Sequence, residues 1–250
     1  MLLNYKTYGE GLPLLAMHGL MGDKDNLAFL KNAFDGQYQK ILIDQRNHGD
    51  SFHTYNMNYS IMAEDLFNIA DHLEHDSVYL IGHSMGGKAV MEAALQHPDR
   101  VEKLIVLDMV PFAFPYRYVD YMEAMLKAHE KSFMTKEELK DFLLNELHEK
   151  APFPFLAKNF SRKPPYRCRM GLKELLANVD HIFEELPKGR TYSGETIFIY
   201  GRNSFMMQYL DEEKIKEYFP MASFHYVDSG HLVHLDKKEE VLSLLGDFLL

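Results

Sequence analysis

Short apolar runs at residues 12–17, 40–43, 77–81 and 103–107 alternate along the first half of the chain with amphipathic stretches. Runs this short and this uniformly apolar are what strands buried on both faces of a parallel sheet look like. Residues 59–73 repeat Ile61, Met62, Leu66, Ile69 and Leu73 at helical spacing. Residues 88–96 do the same and run into His97-Pro98, which stops a helix. Strands alternating with helices predict βαβ units and a mostly parallel sheet, with residues 1–11 as an edge strand.

The alternation breaks after residue 107. From residue 111 to about 194 the pattern predicts no strand, only helical pieces at 119–129, 136–148 and 173–186 separated by proline-rich turns. It then resumes with a strand at 196–200, a helix at 211–218, a strand at 223–227 and a last helix at 238–250. The expected organisation is an α/β core made of residues 1–110 and 195–250, with residues 111–194 inserted late in the sheet as an α-helical cap. There is no internal repeat and no low-complexity tract.

Composition narrows the function. With 250 residues, 46% hydrophobic and 26% charged, the chain is globular and long enough for a large core. Lys+Arg 27 against Asp+Glu 37 gives a net charge of −10, a poor match for nucleic acid or an anionic membrane surface. The single cysteine, Cys168, excludes an internal disulfide and a cysteine-rich zinc site. The N-terminus does not read as a secretion signal and no apolar run approaches a membrane span, so a cytoplasmic location is expected. Oligomeric state is left open.

The sharpest chemical signal is Gly82-His83-Ser84-Met85-Gly86-Gly87, which follows a strand and opens a helix. This is the G-x-S-x-G nucleophile elbow in the context it requires. The turn is tight enough that flanking side chains would collide, so Gly82 and Gly86 remove them, and Ser84 projects above the sheet beside a helix N-terminus. Gly82 to Lys88 also fits the phosphate-cradling G-x-x-x-x-G-K, and residues 104–108 resemble a strand ending in a magnesium-linked Asp. Ala89, where that motif needs a hydroxyl for the metal, decides against it.

An activated serine needs a base, an acid and oxyanion donors. His231, between the last strand and the last helix, is the base in the chain order Ser, Asp, His. His231 and His234 also form H-x-x-H, but no third metal ligand stands out. Met17-His18-Gly19-Leu20-Met21-Gly22 follows the first core strand, so the Leu20 and Met85 amides are the expected oxyanion donors. The strand after the insertion leads into Gly201-Arg202-Asn203-Ser204 with no carboxylate before Asp211. Asp108, ending the preceding strand, is therefore the expected acid, with Asp211 and Asp228 as rivals.

Together these segments resemble the serine esterases of the α/β-hydrolase superfamily, and among them the YbfF-type bacterial esterases. The resemblance rests on residues 18–22 with Asp25-Asn26-Leu27, on Asp44-Gln45-Arg46-Asn47-His48-Gly49-Asp50-Ser51 and on residues 82–88. It continues through Asp108-Met109-Val110-Pro111, residues 201–204 and Ser229-Gly230-His231. It covers nearly the whole chain, least clearly the insertion. It implies the α/β-hydrolase fold, carboxylesterase or thioesterase activity on an acyl ester or acyl-CoA thioester, no cofactor, and an acid after the strand before the cap. Asp44, Arg46 and His48 are expected to brace the oxyanion loop, and Asn26 and Asn203 to fix loops. The alternatives are other triad chemistry on the same fold, such as carbon–carbon bond cleavage, or a catalytically silent binding module.

The insertion bears on the substrate. Phe112, Phe114, Tyr116, Tyr118 and Tyr121 cluster where it begins and are candidates for an apolar acyl pocket. Met206, with Met134, Met170 and Met207, is a candidate for its adaptable walls. Residues 161–169 form a basic island, read either as a solvated loop or as a rim for an anionic substrate head.

Overall fold

The computed structural model describes residues 1–148 and 153–250. Its strands are β1 (Tyr5–Tyr8), β2 (Leu12–Met17), β3 (Tyr38–Ile43), β4 (Val78–His83), β5 (Val101–Leu107), β6 (Glu195–Gly201) and β7 (Ala222–Val227). They form one seven-stranded sheet in the order β1-β3-β2-β4-β5-β6-β7. Only β1 is antiparallel, pairing with β3, so the edge-strand expectation for the N-terminus holds.

The apolar runs are continuous because both faces of the sheet are covered. Leu15, Met17, Leu80, Leu104, Val106, Phe198 and Tyr200 point to one face. There they pack with α1 (Tyr59–His72) and α2 (Met85–Gln96). Leu14, Ala16, Ile81, Ile105, Leu107, Ile197 and Ile199 point to the other, under a 3₁₀ stretch at Lys24–Leu30 and the last helix.

Between β5 and β6 lie α3 (Val119–Lys131), α4 (Lys136–Glu146), α5 (Phe153–Ala157), α6 (Leu172–Ala177) and α7 (Val179–Phe183). Residues 149–152 of the expected insertion lie outside the described residues. The described part of the insertion carries only isolated bridges, Phe133 with Tyr166 and Phe160 with Cys168. The single helix expected at 173–186 is two. Asn178 breaks it, with its side chain donating to the carbonyls of Glu174 and Tyr55. Side-chain bonds of this kind compete with the helical ladder. The neck of the insertion is paired on itself and on the core. Phe114 N donates to Phe183 O at 3.3 Å and Leu186 N to Pro111 O at 2.8 Å. The Tyr59 hydroxyl donates to Ile182 O at 2.7 Å.

After β6 come α8 (Glu212–Tyr218), α9 (Val233–Asp236) and α10 (Lys238–Leu249). The short α9, just after His231, was not expected. Among the described residues no helix is long and apolar enough to cross a membrane.

Candidate active site

Every expected catalytic side chain lies at the carboxyl end of the parallel strands, where open α/β sheets place their sites. Ser84 joins β4 to α2 with φ 54° and ψ −123°, a conformation that costs a non-glycine residue energy. The glycines make this possible. A Cβ on Gly82 would lie 2.2 Å from Gly86 O, and one on Gly86 2.3 Å from Met17 O. Backbone therefore packs on backbone around the serine, and the end of β2 is held against the elbow.

Ser84 Oγ lies 2.9 Å from His231 Nε2, and His231 Nδ1 lies 2.6 Å from Asp108 Oδ2. The carboxylate at Nδ1 fixes the tautomer: Nδ1 carries the proton and Nε2 accepts from the serine hydroxyl. Asp108 is fully buried and also has positive φ, 50°. Its Oδ1 accepts from Gly201 N at 2.8 Å, and its Oδ2 also accepts from the Ser204 hydroxyl. Ser204 Oγ in turn accepts from Met206 N at 3.1 Å. The rival acids are elsewhere: Asp211 caps α8 through Lys214 N, and Asp228 accepts from Asn203 Nδ2.

Two tilted rings pack against His231, Phe205 at 4.7 Å between centroids and His83 at 4.8 Å. His83 Nε2 donates to His231 O at 2.9 Å. His234 turns to His83, 4.5 Å between centroids, and neither of its nitrogens has a hydrogen-bond partner. Burial holds His83 well below the usual histidine range and His234 down to about 3. Among the described residues no group of three or more His, Cys, Asp or Glu is placed to hold a metal.

The loop after β2 meets the elbow at Gly19, where a Cβ would lie 3.0 Å from Ser84 Cβ. Its shape is fixed from below. His48 Nδ1 donates to Arg46 O at 2.9 Å, leaving Nε2 to accept from Met21 N at 3.2 Å. His18 Nδ1 donates to Gly19 O at 2.8 Å and its Nε2 accepts from Gln45 N at 3.1 Å. Burial lowers both histidines to about 3, so each stays neutral and keeps an accepting nitrogen. Asp44 accepts from Lys24 N and Lys24 Nζ, whereas Arg46 reaches the other way, to Asp65 on α1. Asn26 Oδ1 accepts from Asp23 N and from Lys158 Nζ in the insertion. Met85 is the first residue of α2, where the helix leaves its amide without an intrahelical acceptor.

Two cavities open at Ser84. The larger, about 390 Å³, has Leu20, Asn26, His83, Tyr118, Tyr121, Phe155 and His231 in its walls. The smaller, about 20 Å³, is walled by Leu20, Tyr59, Met85, Phe114, Arg117, Tyr118 and Phe205, among others. Of the expected pocket residues, Tyr118 lines both, Phe114 the smaller and Tyr121 the larger. Three others lie outside both. Phe112 packs edge-on against Tyr218, Tyr116 is mostly exposed with its hydroxyl on Asp180, and Met206 is fully buried behind Ser204. Tyr59 and Phe155, which no motif singled out, are walls instead. The basic island is divided: Arg162 and Arg169 line a separate cavity of about 600 Å³ with Lys158, and Arg169 is already paired with Asp50 at 3.0 Å.

The sequence profile of the alpha/beta hydrolase fold matches residues 13–238. The chain belongs to the α/β-hydrolase family. This α/β hydrolase is 37% identical over 238 residues to a Haemophilus influenzae protein named as a candidate esterase/lipase, covering 94% of this chain and 82% of that one. It is 32% identical over 241 residues to the Escherichia coli esterase YbfF, covering 95% and 92%. A solved structure described as a marine microorganism esterase superposes with a TM-score of 0.87 at 32% identity, covering 99% of both chains. The fold and the family resemblance expected from the motifs are therefore established.

Besides the walls Tyr59 and Phe155, two side chains around the triad have roles that no sequence motif indicates, Ser204 and His83. Ser204 belongs to a motif that was noted, but its partner Asp108 lies 96 positions away. The signal was a hydroxyl where a carboxylate was missing. His83 fills the variable position of the elbow motif, which carries no signal of its bond to His231 O.

Proposed function

We propose that the protein is a serine esterase that cleaves carboxylic esters or acyl thioesters through an acyl-enzyme on Ser84. The observation that carries this reading is the unbroken line from Ser84 Oγ through His231 to the buried Asp108, lying open to a cavity of about 390 Å³.

Ser84 Oγ attacks the acyl carbonyl carbon while His231 Nε2 takes its proton. The carbonyl oxygen gains negative charge and is held by the Leu20 and Met85 amides. Asp108 stabilises the imidazolium without becoming protonated. His231 then passes the proton to the leaving alcohol or thiol, and the carbon–oxygen or carbon–sulfur bond breaks. In the second half, water gives a proton to His231 and attacks the acyl carbon, the bond to Ser84 Oγ breaks, and His231 returns the proton to Oγ as the acid leaves. Residues 111–194 act as a cap over the α/β core, with Tyr118 and Phe114 as acyl contacts. The names of the relatives, esterases and lipases, support acyl esters as the substrate class.

A kinetic panel of p-nitrophenyl esters and acyl-CoA thioesters tests the reading. Turnover of at least one series, abolished by Ser84→Ala, is expected. No turnover of either, or turnover that survives Ser84→Ala, overturns it.

A further inference from the structure

Lys88 is the most deeply buried cation near the elbow. It sits one turn into α2, its backbone N donating to Ser84 O at 3.2 Å, and its side chain has no exposed surface. Its ammonium donates to the carbonyl of Glu184, where the insertion returns to the core. It also lies over the Phe114 ring, where the insertion leaves the core, at 4.8 Å, and over Tyr59 at 5.6 Å. No carboxylate among the described residues forms an ion pair with it. Phe114 and Tyr59 are also walls of the small cavity beside Ser84. One charge on the nucleophile's helix thus contacts both segments of the insertion's neck and two walls of the site.

We propose that Lys88 is a specificity-determining positioning residue: its ammonium pins the neck and holds the Phe114 and Tyr59 rings against the small cavity, excluding longer acyl groups. The proposal rests on Ser84 being the nucleophile. A cation over an aromatic face is attracted by the ring quadrupole, most strongly when desolvated. The neutral amine keeps a hydrogen bond to Glu184 O but loses its hold on the rings. Burial lowers the lysine to about 7, against weaker opposing effects of Glu184 and Glu185. The other groups facing it are the Tyr59 phenol, kept neutral by burial, and, on its own helix, Glu92, paired with Arg190 at 2.7 Å.

The test compares kcat/KM for p-nitrophenyl octanoate and acetate in a pH series bracketing 7. Steps shared by both substrates cancel in the ratio. The octanoate-to-acetate ratio of the unaltered protein is expected to rise about three- to tenfold as the charge is lost. In Lys88→Met the ratio is flat with pH and at or above the high-pH value. Lys88→Arg, charged throughout, keeps the low-pH ratio. A flat ratio in the unaltered protein, or a Lys88→Met variant that follows it, overturns the proposal.

Lys88→Met is expected to fold, since removing a buried charge relieves its desolvation. A second readout needs no turnover. The chain has no tryptophan, so Phe114→Trp is a unique reporter. Its emission is expected to shift with a midpoint near 7 and to lose that shift in a Lys88→Met background. An unchanged emission overturns the proposal. Absence of all ester and thioester turnover would instead refute the nucleophile reading and leave the reporter to decide on Lys88.

Discussion

Asp108 and His231 are 123 positions apart, yet Asp108 Oδ2 lies 2.6 Å from His231 Nδ1. The acid follows β5 and the histidine follows β7, so the pair spans the end of the intervening β6, whose Gly201 N holds the other carboxylate oxygen. Asp108→Asn is expected to lower kcat by about 10⁴, because the amide supports the wrong histidine tautomer. Asp211→Asn and Asp228→Asn should leave it near normal, as neither carboxylate bonds the imidazole. Steady-state kinetics of the three variants decide this. Adding Asn203→Asp to Asp108→Asn should give no rescue, since the Asn203 side chain faces Asp228.

Ser204→Ala removes the hydroxyl that donates to Asp108 while the Gly201 amide remains. A hydrogen bond to a charged group contributes about 1.5–3 kcal/mol, and part of it survives through the second donor. The expected loss in kcat is about tenfold, far smaller than for Asp108→Asn. Ser204→Thr, which keeps the hydroxyl, should recover most of it.

The strands were legible because a sheet covered on both faces leaves little room for polar residues in β2 to β6. The elbow was legible because backbone contact at Gly82 and Gly86 admits no side chain. Asp108 could be inferred from an absence, the missing carboxylate at residues 201–204. What stayed hidden depends on distant partners. Asn178 splits a helix through a bond to Tyr55 O. Tyr59 and Phe155 become walls only when remote segments meet. Phe112, Tyr116 and Met206 are as apolar or aromatic as Tyr118, and composition could not say which of them turns toward Ser84.

Gly86→Ala places a Cβ 2.3 Å from Met17 O, a backbone atom that cannot swing away. The elbow and β2 must separate, at a cost of about 3 kcal/mol or more. A fall in Tm together with loss of esterolysis is expected. Gly36→Ala, with nothing within 4 Å but a φ of 77°, should lower Tm slightly through backbone strain and leave activity unchanged.

Burial lowers His18, His48 and His234 from 6.5 to about 3. Between these limits the unfolded chain binds protons that the folded one does not. Stability is therefore full above about pH 6.5 and is lost as pH falls toward 3. Calorimetric Tm should decline across this window. His234→Phe, which removes a titrating group whose nitrogens have no hydrogen-bond partners, should make the decline shallower and leave the neutral-pH Tm at least as high.

The central claim is that Ser84 is the nucleophile, and covalent labelling tests it most directly. A fluorophosphonate probe reacts with an activated serine, forming an oxygen–phosphorus bond and releasing fluoride. Peptide mass spectrometry should find one probe per chain, on Ser84, and none on the Ser84→Ala variant. An unlabelled protein, or a label on any other residue, would contradict the account.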